Sequence, residues 1–212
     1  MRILTVPPDQ HAHHKDELAQ MHRLREMVFR GRLEWDVTVT ETGEFDEYDQ
    51  FDPTYVLAVT DYGRVVGCAR LLPAQGPTML ELTFPQLLAD GSLNATSAMI
   101  ESSRFCVDTT LPAGRGGGQL HFATLTMFAG IIEWSMANGY DKIVTATDLR
   151  FERILNRAGW PMARLGEPVA IGNTVAIAGT LPADQESFEQ VRPPNYRSTF
   201  SYGDNHSARS AA

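Results

Sequence analysis

Leu18, Met21, Leu24, Met27 and Val28 recur every three or four positions, a spacing that predicts an amphipathic helix over residues 15–30. Leu120, Ala123, Met127, Ile131 and Trp134 repeat it over 119–138, where Asn138-Gly139 supplies a C-terminal stop. A third helix is expected over 149–158, with Asp148 as N-cap and Gly159 just past its end. A shorter one is expected over 84–88, with Pro85 near its first turn. Strand-like runs occupy 55–60 and 64–72 around an Asp61-Tyr62-Gly63 turn, then 101–107 and 142–147. Two late strands, 169–171 and 174–178, flank the Gly172-Asn173 turn. The polar, acidic stretch from 38 to 52 has no regular period and receives no assignment. Strands outnumber helices and the two kinds interleave, so the expected fold class is α/β, a single domain with a mixed sheet covered by helices. From Arg192 onward Pro, Ser, Asn and Ala dominate. The domain is therefore expected to span 1–191, and 192–212 to form a flexible tail.

Composition narrows the class. The 212 residues suffice for one sizeable core, and 43% hydrophobic with 21% charged residues is the balance of an ordinary soluble protein. No apolar run approaches the roughly 18 residues that cross a bilayer. The first residues, Met1-Arg2-Ile3-Leu4-Thr5-Val6-Pro7-Pro8, lack the apolar core and cleavage site of a signal peptide, so a cytoplasmic address is expected. Cys68 and Cys106 lie in apolar, strand-like surroundings and are expected to be buried, reduced thiols. A net charge of −8 argues against nucleic-acid binding, which needs a dense basic face.

Candidate chemistry is spread from Arg25 to Arg104. Arg25-Glu26-Met27-Val28-Phe29 is followed by Glu34-Trp35-Asp36, and then by Asp46 and Asp49 within Glu44-Phe45-Asp46-Glu47-Tyr48-Asp49. Gly67-Cys68-Ala69-Arg70-Leu71-Leu72 and Glu101-Ser102-Ser103-Arg104-Phe105 complete the set. In order and spacing, Arg25, Phe29, Trp35, Asp46, Asp49, Arg70, Glu101 and Arg104 resemble the eight-position pattern of the acyl-homoserine lactone synthase family. The resemblance continues through Thr83-Phe84-Pro85 and Arg157-Ala158-Gly159-Trp160 and covers nearly residues 1–190. Stretches 31–37 and 145–155 look especially similar to the plasmid conjugal-transfer synthases of agrobacteria and rhizobia.

The resemblance implies an N-acetyltransferase-like three-layer sandwich, a mixed twisted sheet with helices on both faces. It implies acylation of the amine of S-adenosylmethionine by acyl-[acyl carrier protein], then lactonisation, releasing methylthioadenosine and free carrier protein. The subgroup implies a 3-oxo-octanoyl product. S-adenosylmethionine is then a substrate, so no cofactor and no metal are expected. The expected partners are S-adenosylmethionine and an acidic acyl carrier protein, with neither nucleic acid nor membrane.

The residue types suit this chemistry. An aromatic face such as Phe29 or Trp35 attracts a sulfonium cation. Asp46 and Asp49 offer acceptors to an amine or to ribose hydroxyls, and Arg25, Arg70 or Arg104 a two-pronged contact to a carboxylate. Phe105 is grouped with them as a substrate-binding residue. Glu101 is the expected base, directly or through water, because burial on a strand raises a carboxylate's pKa; pairing with Arg70 or Arg104 is the structural alternative. Arg104 and Ser103 join it as expected catalytic residues, Ser103 through contact with an amide or thioester oxygen. Leu125, Met127, Ile143, Leu155 and Trp160 are expected to line an acyl tunnel, and the resemblance associates Thr145 with 3-oxo chains. Arg150, Arg153 and Arg157 share one helix face, and by resemblance Arg153 and Arg157 dock the carrier. Gly114-Arg115-Gly116-Gly117-Gly118 lacks the Lys-Ser/Thr of a nucleotide loop, and Leu120 replaces the small residue of a coenzyme A loop, so a flexible loop is expected. His11, His13 and His14 are expected to be solvated rather than metal-binding. Two other classes compete with the synthase: an acyl-CoA-dependent acyltransferase of the same fold, and a non-catalytic ligand-binding domain.

Overall fold

The run Thr54–Val59 is buried at every position and Val65–Pro73 at all but its last, so both faces of the sheet's centre are covered. The computed structural model of the chain describes residues 1–110 and 120–200. In chain order its elements are β1 (Arg2–Val6), α1 (Lys15–Glu26), β2 (Val39–Thr40), β3 (Gly43–Glu44), β4 (Thr54–Val59), β5 (Val65–Pro73), α2 (Met79–Leu82), β6 (Met99–Val107), α3 (Phe122–Ala137), β7 (Lys142–Asp148), α4 (Leu149–Ala158), β8 (Ala163–Arg164), β9 (Val169–Ile171), β10 (Thr174–Pro182) and α5 (Gln185–Val191). The main sheet has eight strands in the order β1-β4-β5-β6-β7-β10-β8, with β9 on β10; β2 and β3 form a separate hairpin.

Among the described strands of this sheet only β6 and β7 pair in parallel. They pair from Met99↔Lys142 to Glu101↔Val144 and then part, β6 staying on β5 and β7 on β10. Across the start of the parting, Thr145 Oγ1 donates to the Ser102 carbonyl at 2.8 Å. Beyond Glu101↔Val144 the two strands share no further ladder pairing, which leaves a seam between them.

One face packs Ile3, Val56, Ala69, Leu71 and Ile143 against Met127 and Phe128 of α3 and Leu155 of α4. Gly130 of α3 allows its close approach: a Cβ there would stand 2.7 Å from Ile3 Cγ1. The other face carries α1 and the turn that follows it, where Met21, Leu24, Val28 and Phe29 cover Leu57, Cys68 and Cys106. Beside them Leu80 of α2 and Leu87 cover Val144 and Ala178. Helices thus lie on both faces of a mixed sheet, which is the expected α/β sandwich. No helix among the described residues is long and apolar enough to cross a membrane.

The strongly patterned elements appear where their spacing places them. Asp148 Oδ1 caps α4 by accepting from the Phe151 N–H at 2.7 Å, and Gly159 ends it at φ +76°. The first helix keeps α geometry only to Glu26, then widens into a π-helical turn over Met27–Arg32. The long helix starts later than its apolar period suggests, at Phe122, because His121 Nδ1 caps it by accepting from the Ala123 N–H at 3.2 Å. Cys68 and Cys106 are free, buried and 3.3 Å apart at sulfur. The expected tail begins differently from its composition: Ile3 N donates to the Arg197 carbonyl (2.8 Å), Thr199 N to the Ile3 carbonyl (3.0 Å), and Tyr196 Oη to Glu133 (2.7 Å). Residues 196–199 therefore lie along β1, where they satisfy backbone groups of an edge strand. Residues 201–212 and the glycine loop 114–118 lie outside the described residues.

Candidate active site

The unassigned acidic stretch turns out to be a scaffold for carboxylates. Gly43 adopts φ +121°, and a Cβ there would stand 2.4 Å from the His22 carbonyl carbon, so only glycine lets β3 lie against α1. His22 Nδ1 donates to the Glu44 carbonyl at 2.8 Å, and burial holds the ring's pKa below its usual value, so it is a neutral donor. Asp46 then caps the turn Glu47–Gln50: its Oδ1 accepts from Tyr48 N (2.9 Å) while Asp49 Oδ2 accepts from Asp46 N (2.9 Å). This reciprocal cap aims both carboxylates in one direction.

A bulge supplies the facing cation. Cys68 pairs with Cys106 but Arg70 with Ser103, so β6 carries one extra residue between these pairs, and Arg104 there takes φ +52°. An uninterrupted strand would send Ser103 and Arg104 to opposite faces. The bulge turns both toward α1. Phe105 consequently points to the α3 face, where its ring meets Phe128 at 5.4 Å and Phe151 at 4.8 Å. It is therefore separated by the sheet from the substrate-binding group to which the sequence assigned it.

Under α1 the arginines and acids interlock. Arg25 donates through Nε to Glu44 and through both Nη atoms to Asp49, each at 2.8 Å. Arg70 donates through Nη1 to Asp46 and lies 2.9 Å from Asp49, while its Nε meets Ser103 Oγ at 3.1 Å. Arg104 reaches Glu44 through Nε (2.9 Å) and Asp46 through Nη2 (2.7 Å). The Tyr55 hydroxyl completes Asp49 at 2.7 Å. Burial alone would raise the Asp49 carboxyl, but the hydrogen bonds and charge of Arg25, with the charge of Arg70, hold it far below the usual carboxylate range. Arg25, Arg70, Glu44 and Asp49 expose 0% of their side chains; Asp46 exposes 14% and Arg104 12%. Only the last two offer charge to an arriving molecule.

Around this pair stand aromatic faces. Phe29 and Trp35 stack at 5.2 Å and 11°, and Arg104 lies over the Phe29 ring at 5.5 Å. The Met79 sulfur stands 3.0 Å from Arg70 Nη2 and 3.4 Å from Arg104 Nη1.

Glu101 is 1% exposed, and an arginine is not what holds it: Oε1 accepts from Leu80 N (2.7 Å) and Oε2 from Met79 N (3.1 Å). Burial outweighs these hydrogen bonds and raises its pKa above the usual range. Leu125, Met127, Ile143, Leu155 and Trp160 share the core on the α3 face, Trp160 donating its indole N–H to the Pro182 carbonyl at 2.9 Å. Thr145 spends its hydroxyl on Ser102. Arg150, Arg153 and Arg157 are exposed on α4. His11 Nε2 meets the Pro53 carbonyl (3.0 Å), and His14 lies 3.5 Å from Glu17. Among the described residues no group of three or more His, Cys, Asp or Glu is arranged to hold a metal.

Sequence reasoning missed Glu44, Tyr55 and Met79. Glu44 is one acid among several between 41 and 49, and only its contacts with Arg25 and Arg104 distinguish it.

Residues 9–191 match the autoinducer synthase family. An acyl-homoserine-lactone synthase of Rhizobium radiobacter is 71% identical over 212 residues, the whole of both chains. The solved CoA-dependent acyl-homoserine lactone synthase BjaI, described with SAM and isopentyl-CoA, superposes with a TM-score of 0.81 at 23% identity and covers 94% of each chain. A putative N-acetyltransferase from Lactobacillus plantarum shares the fold at a TM-score of 0.56 and 14% identity, over 87% of this chain and 100% of its own. A match of this extent, on a chain whose patterned charged residues meet in one cluster, leaves one conclusion: the chain belongs to the autoinducer synthase family of acyl-homoserine-lactone synthases.

Proposed function

We propose that this acyltransferase joins S-adenosylmethionine to an acyl group delivered by acyl carrier protein, in the cytoplasm, and that its product is 3-oxo-octanoyl-homoserine lactone. The observation that carries the reading is the partly exposed Arg104–Asp46 pair in an otherwise sealed cluster. S-adenosylmethionine carries both a carboxylate and an ammonium group, so it replaces each member of that pair with a partner of the right sign: its carboxylate takes the Arg104 Nη edge, and Asp46 accepts from its amine or ribose. The stacked Phe29–Trp35 rings lie beside Arg104 and suit the sulfonium. Arg25, Arg70 and Asp49, with every charged atom taken by protein, hold this pair in place rather than bind substrate.

Glu101 takes a proton from the substrate ammonium, and the freed amine attacks the thioester carbonyl. Collapse of the adduct forms the amide and expels the carrier's thiolate, which takes up the second proton lost by nitrogen, while Glu101 passes the first to solvent. The substrate carboxylate then displaces methylthioadenosine from the carbon next to sulfur and closes the lactone; this step needs positioning and a good leaving group, not a nucleophilic residue. The seam between β6 and β7 suits the thioester, with Ser103 on the charged side and the apolar core of Leu125, Met127, Ile143, Leu155 and Trp160 on the other. For Thr145 to bond a 3-oxo group, its hydroxyl must exchange the Ser102 carbonyl for the substrate oxygen. The fold likeness to a CoA-dependent synthase favours one second reading, acyl-CoA as donor.

Purified protein with S-adenosylmethionine and 3-oxo-octanoyl carrier protein is expected to release methylthioadenosine and lactone in equal amounts by mass spectrometry. Absence of both products at every acyl length rejects the reading; faster turnover with the acyl-CoA than with the carrier rejects the donor. Docking on α4 is tested separately. Arg153→Glu with Arg157→Glu places like charge against an acidic carrier and is expected to raise its KM roughly tenfold, leaving the KM for S-adenosylmethionine alone. A parallel rise in both constants removes α4 from the docking surface.

A further inference from the structure

We propose that Glu44 is a positioning residue for S-adenosylmethionine: it grips Arg104 by the Nε edge and so presents the Nη edge to the substrate carboxylate. This role rests on Arg104 receiving that carboxylate, as above.

Three contacts orient the Arg104 guanidinium, namely Glu44 at Nε (2.9 Å), Asp46 at Nη2 (2.7 Å) and the Met79 sulfur at Nη1 (3.4 Å), with the Phe29 ring beneath. Substrate entering at the Nη edge displaces Asp46, the partly exposed member. Glu44 then remains the one charged partner, on the edge that substrate does not use. A long side chain rising from a left-handed bulge has many alternative rotamers, and a fixed partner at Nε lowers the ordering cost when the ligand arrives.

Glu44 is built for holding. It is 0% exposed, so water does not compete for it. Its second oxygen is occupied by Arg25 Nε, and its main chain is pinned through the His22 side chain and the close contact of Gly43 with the His22 backbone. Each carboxylate oxygen thus serves a different arginine: one belongs to the sealed cluster and the other to the accessible rim. A neutral amide of the same shape keeps one acceptor and turns an N–H₂ toward the other guanidinium.

Binding of S-adenosylmethionine is measured by calorimetry on Glu44→Gln, Arg104→Ala and the double variant, alongside melting curves and both Michaelis constants for Glu44→Gln. Glu44→Gln is expected to weaken binding roughly ten- to thirtyfold, to leave the KM for the acyl donor within about twofold, and to add nothing in the Arg104→Ala background. Effects that multiply in the double variant, or a proportional rise in both Michaelis constants, overturn the proposal, because Glu44 then acts on the fold at large. If Arg104→Ala weakens binding and Glu44→Gln does not, the role of Glu44 fails alone. If Arg104→Ala binds normally, the reading of Arg104 fails and takes the role of Glu44 with it. Should Glu44→Gln not fold, Glu44→Asp keeps the buried charge but is too short to reach both arginines. It must show the same selective loss, and normal binding overturns the proposal.

Discussion

Glu101→Gln is expected to lower turnover by roughly a hundred- to ten-thousandfold, the usual contribution of a general base, while the dissociation constant for S-adenosylmethionine changes little. Both Glu101 oxygens rest on backbone N–H groups at the start of α2, so the carboxylate cannot swing away from the strand that carries it. Burial raises its pKa above the ordinary 4.5, which makes it a stronger base than a solvated carboxylate. The sign of the pH effect follows. The base works only when ionised, so turnover is high above this pKa and declines as pH falls through it. Because the pKa is raised, that acid limb lies above the usual carboxylate range. Glutamine does not titrate, so the limb attributable to Glu101 disappears in the variant along with most of the rate. Full turnover in the variant, or an unchanged acid limb on the residual rate, would remove Glu101 from the base role.

Arg25→Ala is expected to destabilise the fold by about 3–5 kcal/mol at neutral pH, the effect of stranding buried charges, and to lower Tm by roughly 10 °C. Arg25 makes three hydrogen bonds to Glu44 and Asp49, and none of these side chains reaches solvent. Lysine cannot replace it, since a single ammonium does not span two carboxylates held on different elements. Arg25→Lys is therefore expected to recover less than half of the loss. Acid should narrow the gap. The folded pKa of Asp49 is depressed, so its stabilisation is fully present above the unfolded value of about 3.9 and is lost as pH falls from there toward the folded value. Without Arg25 this depression shrinks, and wild type and variant converge on acidification. Urea unfolding at neutral and acidic pH measures both effects. A neutral-pH difference below about 1 kcal/mol, typical of an exposed pair, would contradict the sealed cluster.

Much of this architecture can be read from local pattern. The periods around Leu18 and Leu120, the cap Asp148 with its stop Gly159, and the apolar runs of β4 and β5 each express a local preference that packing reinforces. Short elements without a flanking turn signal were not legible, although β9 was, beside its Gly172-Asn173 turn. β1, α2, β8 and α5 hold few residues, and β2–β3 has two residues a strand, too few for any period to emerge.

The candidate site divides along the same line. That Arg25, Asp46, Asp49, Arg70 and Arg104 belong together was legible through the family resemblance that their order and spacing carry. Their division into sealed holders and an accessible pair was not, because burial arises only when α1, β3 and the turn after it close over the sheet. Neither was the face on which Arg104 emerges. A period of two places residues 101, 103 and 105 together and sends 104 to the other side; one inserted residue at positive φ reverses this, and an arginine there carries no glycine to announce it. The sequence alone determined the class of fold and the inventory of charge. Tertiary structure decided the use of each charge, because pairing, burial and the parting of two strands are relations between segments that no single segment encodes.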